Sequence, residues 1–119
     1  MEKVNVLEKL SLFSEYWTPK IVGELNGQQV KLVKFHGDFI WHLHENEDEL
    51  FYVIKGKFTM QFREREIVVN ENEFLIVPRG IEHRSVADGE VSVMVFEPKS
   101  AVNTGNINNE LTRRILEKL

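Results

Sequence analysis

The sequence predicts an all-β fold, either a β-sandwich or a small barrel. About nine short segments carry apolar residues at the spacing of strands, and turn-forming residues separate them every few positions. The clearest segment is residues 57–63, where Phe58, Met60 and Phe62 alternate with polar residues. That period of two indicates one buried face and one solvated face, as in an antiparallel sheet.

Length and composition restrict the size and class of the protein. With 119 residues, 42% of them hydrophobic and 29% charged, we expect a single domain over residues 1–119, with a barrel over about residues 20–98. The net charge of −4 and the lack of a basic cluster argue against a nucleic-acid partner. No apolar run approaches the roughly 20 residues of a membrane helix, and no cysteine is present for disulfides or thiolate chemistry. We therefore expect no membrane partner and a cytoplasmic location.

Two elements are predicted at the start of the chain. Residues 6–10 carry apolar side chains on one helical stripe, and Asn5 can cap a short N-terminal helix there. A β-hairpin follows over residues 20–36, because Asn26-Gly27 is a strong signal for a tight turn in which both central residues have positive φ.

Seven further segments are predicted as strands after this hairpin. They cover residues 39–44, 50–54, 57–63, 66–69, 73–77, 84–86 and 91–96. Asp88-Gly89 supplies the turn between the last two strands, and the polar residues 103–109 are expected to form a loop. Apolar residues three or four positions apart then define one stripe, so we expect a C-terminal helix over about residues 108–119.

Two histidines one residue apart are the first candidates for a functional site. His42 and His44 fall on one face of the predicted strand 39–44, because side chains alternate along a strand. Trp41 and Leu43 occupy the other face, which indicates that the imidazoles point into an enclosed space. Buried imidazoles need a ligand or hydrogen-bond partners, since each unpaired polar group costs on the order of 1–3 kcal/mol.

An acidic run follows the histidine pair, and most of it is expected to be a solvated loop. Glu49 differs from the other acids because it directly precedes an apolar strand, which would hold its side chain rigidly. The sequence offers no comparable partner for His36, which we expect on the surface.

The stretch from Gly37 to Gly56 resembles the first conserved motif of the cupins. That motif has a glycine, a His-X-His pair, a glutamate a few residues later and a second glycine. Here four residues separate His44 from Glu49, and six separate Glu49 from Gly56.

The stretch from Asn72 to His83 resembles the second cupin motif, Pro-X-Gly-X-X-His. Asn72 stands where the motif usually has glycine, and Ala87 stands where it often has asparagine. Asparagine tolerates positive φ, so the turn at Asn72 is expected to be intact. Neither departure falls on a ligand position.

The resemblance implies the cupin double-stranded β-helix, a jelly-roll barrel, and a mononuclear His3Glu metal centre. Its ligands would be His42, His44, Glu49 and His83. Such a set suits one divalent transition metal ion, either Fe, Mn, Ni, Zn or Cu, and discriminates poorly among them. The pattern is especially similar to small stand-alone cupins labelled mannose-6-phosphate isomerase-like.

The resemblance also implies activity on a small molecule, of the dioxygenase type or of the sugar-phosphate isomerase or epimerase type. The alternative is a non-catalytic protein that binds or senses a small molecule. We expect an apolar substrate pocket next to the metal, formed by Phe51, Val53, Phe58 and Met60. No residue of the sequence is assigned as a general acid or base.

The N-terminal region predicts a homodimer. Leu12, Phe13, Trp17 and Ile21 provide more apolar surface than one small barrel must cap. Exposed sheet edges also need covering, and dimers are common among small cupins.

Overall fold

One helix and seven strands make up the secondary structure, and the computed structural model describes all residues 1–119. The elements are α1 (Val6–Leu10), β1 (Lys20–Leu25), β2 (Gln28–Asp38), β3 (Glu49–Lys55), β4 (Phe58–Phe62), β5 (Glu66–Val69), β6 (Phe74–Val77) and β7 (His83–Pro98). The all-β prediction and the short N-terminal helix are confirmed, with strands between Lys20 and Pro98. No helix has the length and apolar character needed to cross a membrane.

The strands form an antiparallel jelly-roll barrel organised around β7. The hydrogen-bonded order is β1-β2-β7-β3-β6, and β4 pairs with both β7 and β5. The first part of β7 pairs with β4, its second part pairs with β3, and β2 runs alongside both parts. Since β7 begins at His83, this central strand places one candidate site residue at the end of the barrel.

The two predicted strands 84–86 and 91–96 form one strand, so the predicted break at Asp88-Gly89 is wrong. The register with β2 shifts here, because Ala87 pairs with Gly37 while Val91 pairs with Phe35. Residues 88–90 therefore protrude as an exposed bulge, and the ladder resumes beyond it. A glycine is typical of both bulges and turns, so the sequence pattern does not distinguish the two.

Apolar side chains pack in two clusters. The larger cluster fills the barrel and includes Phe35, Phe51, Val53, Phe58, Met60 and Val93. The smaller cluster packs the N-terminal segment on the outside of the hairpin and contains Leu10, Phe13, Val22 and Leu32. Phe13 is thus buried within the chain, and Trp17 and Ile21 are half-buried. Of the four apolar residues expected to form a dimer surface, only Leu12 remains largely exposed.

The predicted C-terminal helix over residues 108–119 is wrong, because the segment consists of turns and a single bridge. The side chain of Asn103 accepts a hydrogen bond from Arg113 N and donates one to Leu111 O, and such local bonds compete with a helix. The end of the chain is extended and pairs with β1, since Leu119 N donates to Ile21 O at 2.9 Å.

The predicted strand over residues 39–44 is also wrong. This segment contains only one isolated bridge, between His42 and His83. Phe39 N also donates to Ser85 O in β7 at 2.9 Å, and further backbone bonds to residues 42–44 fix the candidate site.

Candidate metal centre

Backbone hydrogen bonds from the second motif hold the His-X-His segment in place. His42 N donates to His83 O at 3.0 Å, and His83 N donates to His42 O at 2.9 Å. Gly80 N donates to His44 O at 2.7 Å. These bonds bring the two motifs together although about forty residues separate them in the chain.

A C-terminal segment holds the same stretch from another side. Leu43 N donates to Asn106 Oδ1 at 2.9 Å, and Asn106 N donates to Leu43 O at 3.0 Å. Gly105, with φ +55°, packs against the backbone of Leu43 and the ring of His42. The sequence predicts only a loop for residues 103–109, because a glycine in a polar stretch does not reveal such a contact.

The structure brings all four residues of the predicted set into one buried cluster. Candidate ligand atoms of His42, His44, Glu49 and His83 all lie within 4.8 Å of one another. Glu49 opens β3 and His83 opens β7, so rigid strands position these two side chains. The cluster can therefore hold a metal ion.

Two of the imidazoles are oriented by backbone carbonyls. His42 Nδ1 lies 2.9 Å from Ile40 O, and His83 Nδ1 lies 2.8 Å from Ile81 O. A carbonyl only accepts, so in each ring Nδ1 carries the proton and Nε2 keeps its lone pair. This is the arrangement that metal-bound histidines commonly show.

Several buried polar atoms of the cluster have no hydrogen bond. They are both ring nitrogens of His44, Oε1 of Glu49 and Nε2 of His83. Glu49 Oε1 lies only 2.7 Å from His44 Nε2 and 3.5 Å from His83 Nε2, but neither contact has hydrogen-bond geometry. Buried polar atoms are normally paired. A cation among His44 Nε2, Glu49 Oε1 and His83 Nε2 would satisfy these three atoms, and the donor set of imidazole nitrogens with one carboxylate oxygen fits a divalent transition metal.

The surroundings favour the metal-binding protonation states of two of these residues. Burial, followed by the nearby His83, lowers the pKa of His42 to about 4. Burial opposes ionisation of Glu49, but its contacts with Glu97, His44 and His83 hold the pKa of that carboxyl well below its usual value. A neutral imidazole and an ionised carboxylate are the forms that bind metals.

The remaining histidine and acids do not join the cluster. His36 is exposed, as predicted, and its ring stacks on Tyr16 with ring centroids 5.2 Å apart. Asp48 accepts hydrogen bonds from Arg79, and Glu47 accepts one from Ser100.

A small cavity adjoins the cluster and shares His42 and Glu49 with it. Most of the wall is apolar and includes Trp17, Phe39 and Phe51. About 50 Å³ of its interior is open to the centres of water molecules. One water needs roughly 10–15 Å³ of such space, so the cavity has room for a few waters.

Only one of the four predicted pocket residues lines this cavity. Phe51 does so, whereas Val53, Phe58 and Met60 pack in the larger core cluster, each at most 2% exposed. The strand pattern correctly indicated an inward direction for these side chains. It did not distinguish the filled part of the barrel from the open part.

A buried ion pair in the cavity wall was missed. Lys31 Nζ lies 2.7 Å from Glu97 Oε1, and the two side chains are 2% and 4% exposed. Burial, followed by the charge of Glu49, raises the pKa of Glu97 well above its usual value. Lys31 shares a strand face with Val33 and Phe35, and that pattern was the signal in the sequence for a buried lysine.

Comparisons with known proteins give the family. Residues 30–97 match the family Cupin_2, described as a cupin domain. The crystal structure of a cupin-2 domain containing protein from Shewanella frigidimarina is 39% identical, with a TM-score of 0.79 over 80% of this chain and 93% of that chain. The crystal structure of protein NMB1881 from Neisseria meningitidis is 30% identical, with a TM-score of 0.76 over 82% of this chain and 99% of that chain.

A curated relative is similar over a shorter stretch. The uncharacterised protein YdbB of Bacillus subtilis is 37% identical over 65 residues. These residues are 54% of this chain and 58% of YdbB, so the match covers little more than half of that relative. The Cupin_2 match spans more than half of the chain and contains His42, His44, Glu49 and His83. The chain therefore belongs to the cupin family.

Proposed function

We propose that the protein, as a single domain over residues 1–119, is a metal-dependent enzyme that acts on a small polar molecule. His42, His44, Glu49 and His83 would hold one divalent transition metal ion. The observation that carries this proposal is the group of buried donor atoms without hydrogen bonds beside a cavity that His42 and Glu49 also line. A closed structural site would not open onto a cavity, whereas a catalytic site keeps positions for water or substrate.

The ion would be Fe, Mn, Ni, Zn or Cu, and it would supply Lewis acidity or redox chemistry. The chain's own residues would hold the ion, orient the substrate against it and exclude bulk water. The aromatic wall formed by Trp17, Phe39 and Phe51 serves the last of these roles.

The size of the cavity favours dioxygenase-type or Lewis-acid chemistry on a very small substrate over sugar-phosphate isomerisation. A space for a few waters is too small for a hexose phosphate. The arginines near the second motif do not line the cavity either. Arg79 pairs with Asp48, and Arg84 donates to Gln61 at 2.6 Å. The narrower likeness to the mannose-6-phosphate isomerase-like group stays a prediction.

Turnover by protein loaded separately with each of the five ions tests this proposal. Oxygen uptake and product formation are measured on a panel of small thiols, diols and hydroxy acids. We expect turnover with one ion, its loss in His83→Ala, and its retention in His36→Ala, which removes an exposed histidine outside the cluster. A ligand that co-purifies with the protein, combined with no turnover for any ion, would instead support the non-catalytic binding or sensing alternative.

We also propose that the protein is a homodimer, and exposed apolar residues at two strand edges support this. β6 ends the strand order, and β5 pairs only with β4, so each presents an unpaired edge. Val68, Phe74 and Ile76 on these strands are 52%, 60% and 52% exposed. Apolar side chains beside open edges favour a protein partner, and a second copy is the partner always available.

A further inference from the structure

The cavity has one charged end, which consists of Lys31 and Glu97. The Lys31 ammonium has three N–H donors and makes one hydrogen bond, to Glu97 Oε1 at 2.7 Å. Glu97 Oε2 is buried and makes no hydrogen bond. This ion pair thus leaves donors and an acceptor unused, although both residues line the cavity.

Fold stability does not account for this pair. A buried ion pair loses hydration on both partners and is often no more stable than apolar side chains of similar volume. Toward the barrel core the neighbouring positions on the same strand faces are apolar, with Val33 beside Lys31 and Val95 beside Glu97, whereas the buried Gln29 lies on the other side of Lys31. An apolar pair would continue that pattern, so recognition of a ligand explains the two charges better than packing does.

The charged end lies next to the metal cluster. Glu97 contacts Lys31 on one side and Glu49 on the other, so a single side chain separates the ammonium from a candidate metal ligand. A small molecule in this cavity would meet the ammonium and the ion at the same time.

The charges that face the cavity favour an anion. Lys31, Glu49 and Glu97 are the only residues with formal charges in its wall. With a divalent ion bound, Glu49 offsets only half of the ion's charge, and Lys31 and Glu97 together add no negative charge. The loaded site then carries net positive charge in a wall whose exposed surface is mostly apolar, which matches a small anion.

We propose that Lys31 and Glu97 form the recognition end of this cavity, and that the cavity binds a small 2-hydroxy or 2-oxo monocarboxylate. The carboxylate accepts from Lys31 Nζ, and the adjacent hydroxyl or oxo oxygen lies toward His42 and Glu49. Space for a few waters limits the ligand to about six non-hydrogen atoms. This inference rests on the proposed metal centre and names the substrate class for it.

Calorimetric titration of the Mn²⁺-loaded full chain tests the proposal. The probes are lactate and pyruvate, with propane-1,2-diol and hydroxyacetone as neutral analogues of similar size. The test variant is Lys31→Met/Glu97→Gln, which removes both charges and so leaves neither buried alone. The control is Lys20→Met, which removes a buried lysine that does not line the cavity.

We expect the wild-type protein to bind the carboxylates more tightly than the neutral analogues. The double variant should bind the carboxylates about tenfold more weakly or worse, because it loses a charge-assisted hydrogen bond, and should bind the neutral analogues unchanged. Lys20→Met should match the wild type.

Two results would overturn the inference. The first is wild-type protein that binds no carboxylate, or that binds the neutral analogues as tightly as the carboxylates. This comparison uses the wild type alone and so does not depend on the folding of a variant. The other is a double variant with unchanged carboxylate affinity. Manganese content is measured on the same samples. Full manganese without carboxylate preference overturns this inference alone. Wild-type protein that takes up neither Mn²⁺ nor any of the other four ions overturns the proposed metal centre as well.

Discussion

Gly105 lies so close to Leu43 that a Cβ atom at position 105 would overlap the carbonyl oxygen of Leu43. Leu43 is the residue between His42 and His44. Asn106 reinforces the contact, because its backbone N–H and its side-chain oxygen bond to the carbonyl and N–H of Leu43. A segment outside the matched family region of residues 30–97 therefore sets the backbone of the two histidines.

Replacement of Gly105 by alanine should weaken metal binding without touching a ligand. The added Cβ must displace Leu43, and the positive φ at position 105 adds about 1 kcal/mol or more of backbone strain. Loss of such supporting contacts typically costs about 10–100-fold in metal affinity. Competition with a metal chelator measures the affinity.

Gly89→Ala is the matched control for this variant. A Cβ at position 89 meets nothing within 4 Å, and Gly89 does not have positive φ. We expect wild-type affinity in Gly89→Ala. Equal affinity in Gly105→Ala would show that this contact does not position the histidines.

The metal-free protein should lose stability as the pH falls from about 6.5 to about 4. The pKa of His42 is 6.5 in an unperturbed chain and about 4 in the fold, where burial disfavours the imidazolium. The unfolded chain then binds more protons over this interval, so acid favours it. At pH values above its unfolded pKa, His42 contributes about 3 kcal/mol to the free energy of unfolding. This contribution is lost as the pH falls through its folded pKa.

Urea unfolding of metal-free protein at about pH 7 and about pH 4.5 checks this dependence. Glu49, whose pKa is lowered in the fold, also reduces the stability as the pH falls. Glu97, whose pKa is raised in the fold, increases the stability as the pH falls. Glu49 and Glu97 are present in both the wild type and His42→Gln, so the difference between the two proteins isolates the contribution of His42. The free energy of unfolding should fall less in the variant than in the wild type, and an identical fall would exclude His42 as the cause.

The candidate metal cluster could be predicted because its signals are local. His42 and His44 are separated by one residue, and Glu49 directly precedes an apolar strand. His83 followed from the resemblance of residues 72–83 to the second cupin motif. The strand invoked for residues 39–44 does not form, yet His42 and His44 still converge, because backbone bonds from Gly80 and His83 replace the ladder.

Long-range contacts were harder to predict. Lys31 and Glu97 are 66 positions apart in the chain. The alternation of side chains places each residue on a buried strand face, but nothing in the sequence indicates that they contact each other. The predicted C-terminal helix does not form, although the sequence has an apolar stripe there. Hydrogen bonds of the Asn103 side chain and the pairing of Leu119 with Ile21 compete with the helix. Ile115, a member of that stripe, is almost fully exposed.

The proposed dimer should dissociate when the apolar residues of β6 become polar. Phe74→Ser/Ile76→Ser removes two exposed apolar side chains beside an unpaired strand edge. Light scattering at micromolar concentration should give twice the chain mass for the wild type and the chain mass for the variant. Leu12→Ser, which changes an exposed apolar residue elsewhere, should remain dimeric. A monomeric wild type would refute the dimer, and a dimeric double variant would place its interface elsewhere.

The metal content of protein purified without added metal or chelator tests the central claim most directly. Elemental analysis is made on the wild type, Glu49→Gln, His83→Ala and His36→Ala. The proposed centre predicts about one transition metal ion per chain in the wild type and in His36→Ala, and almost none in the two cluster variants. Equal metal content in all four proteins would contradict it.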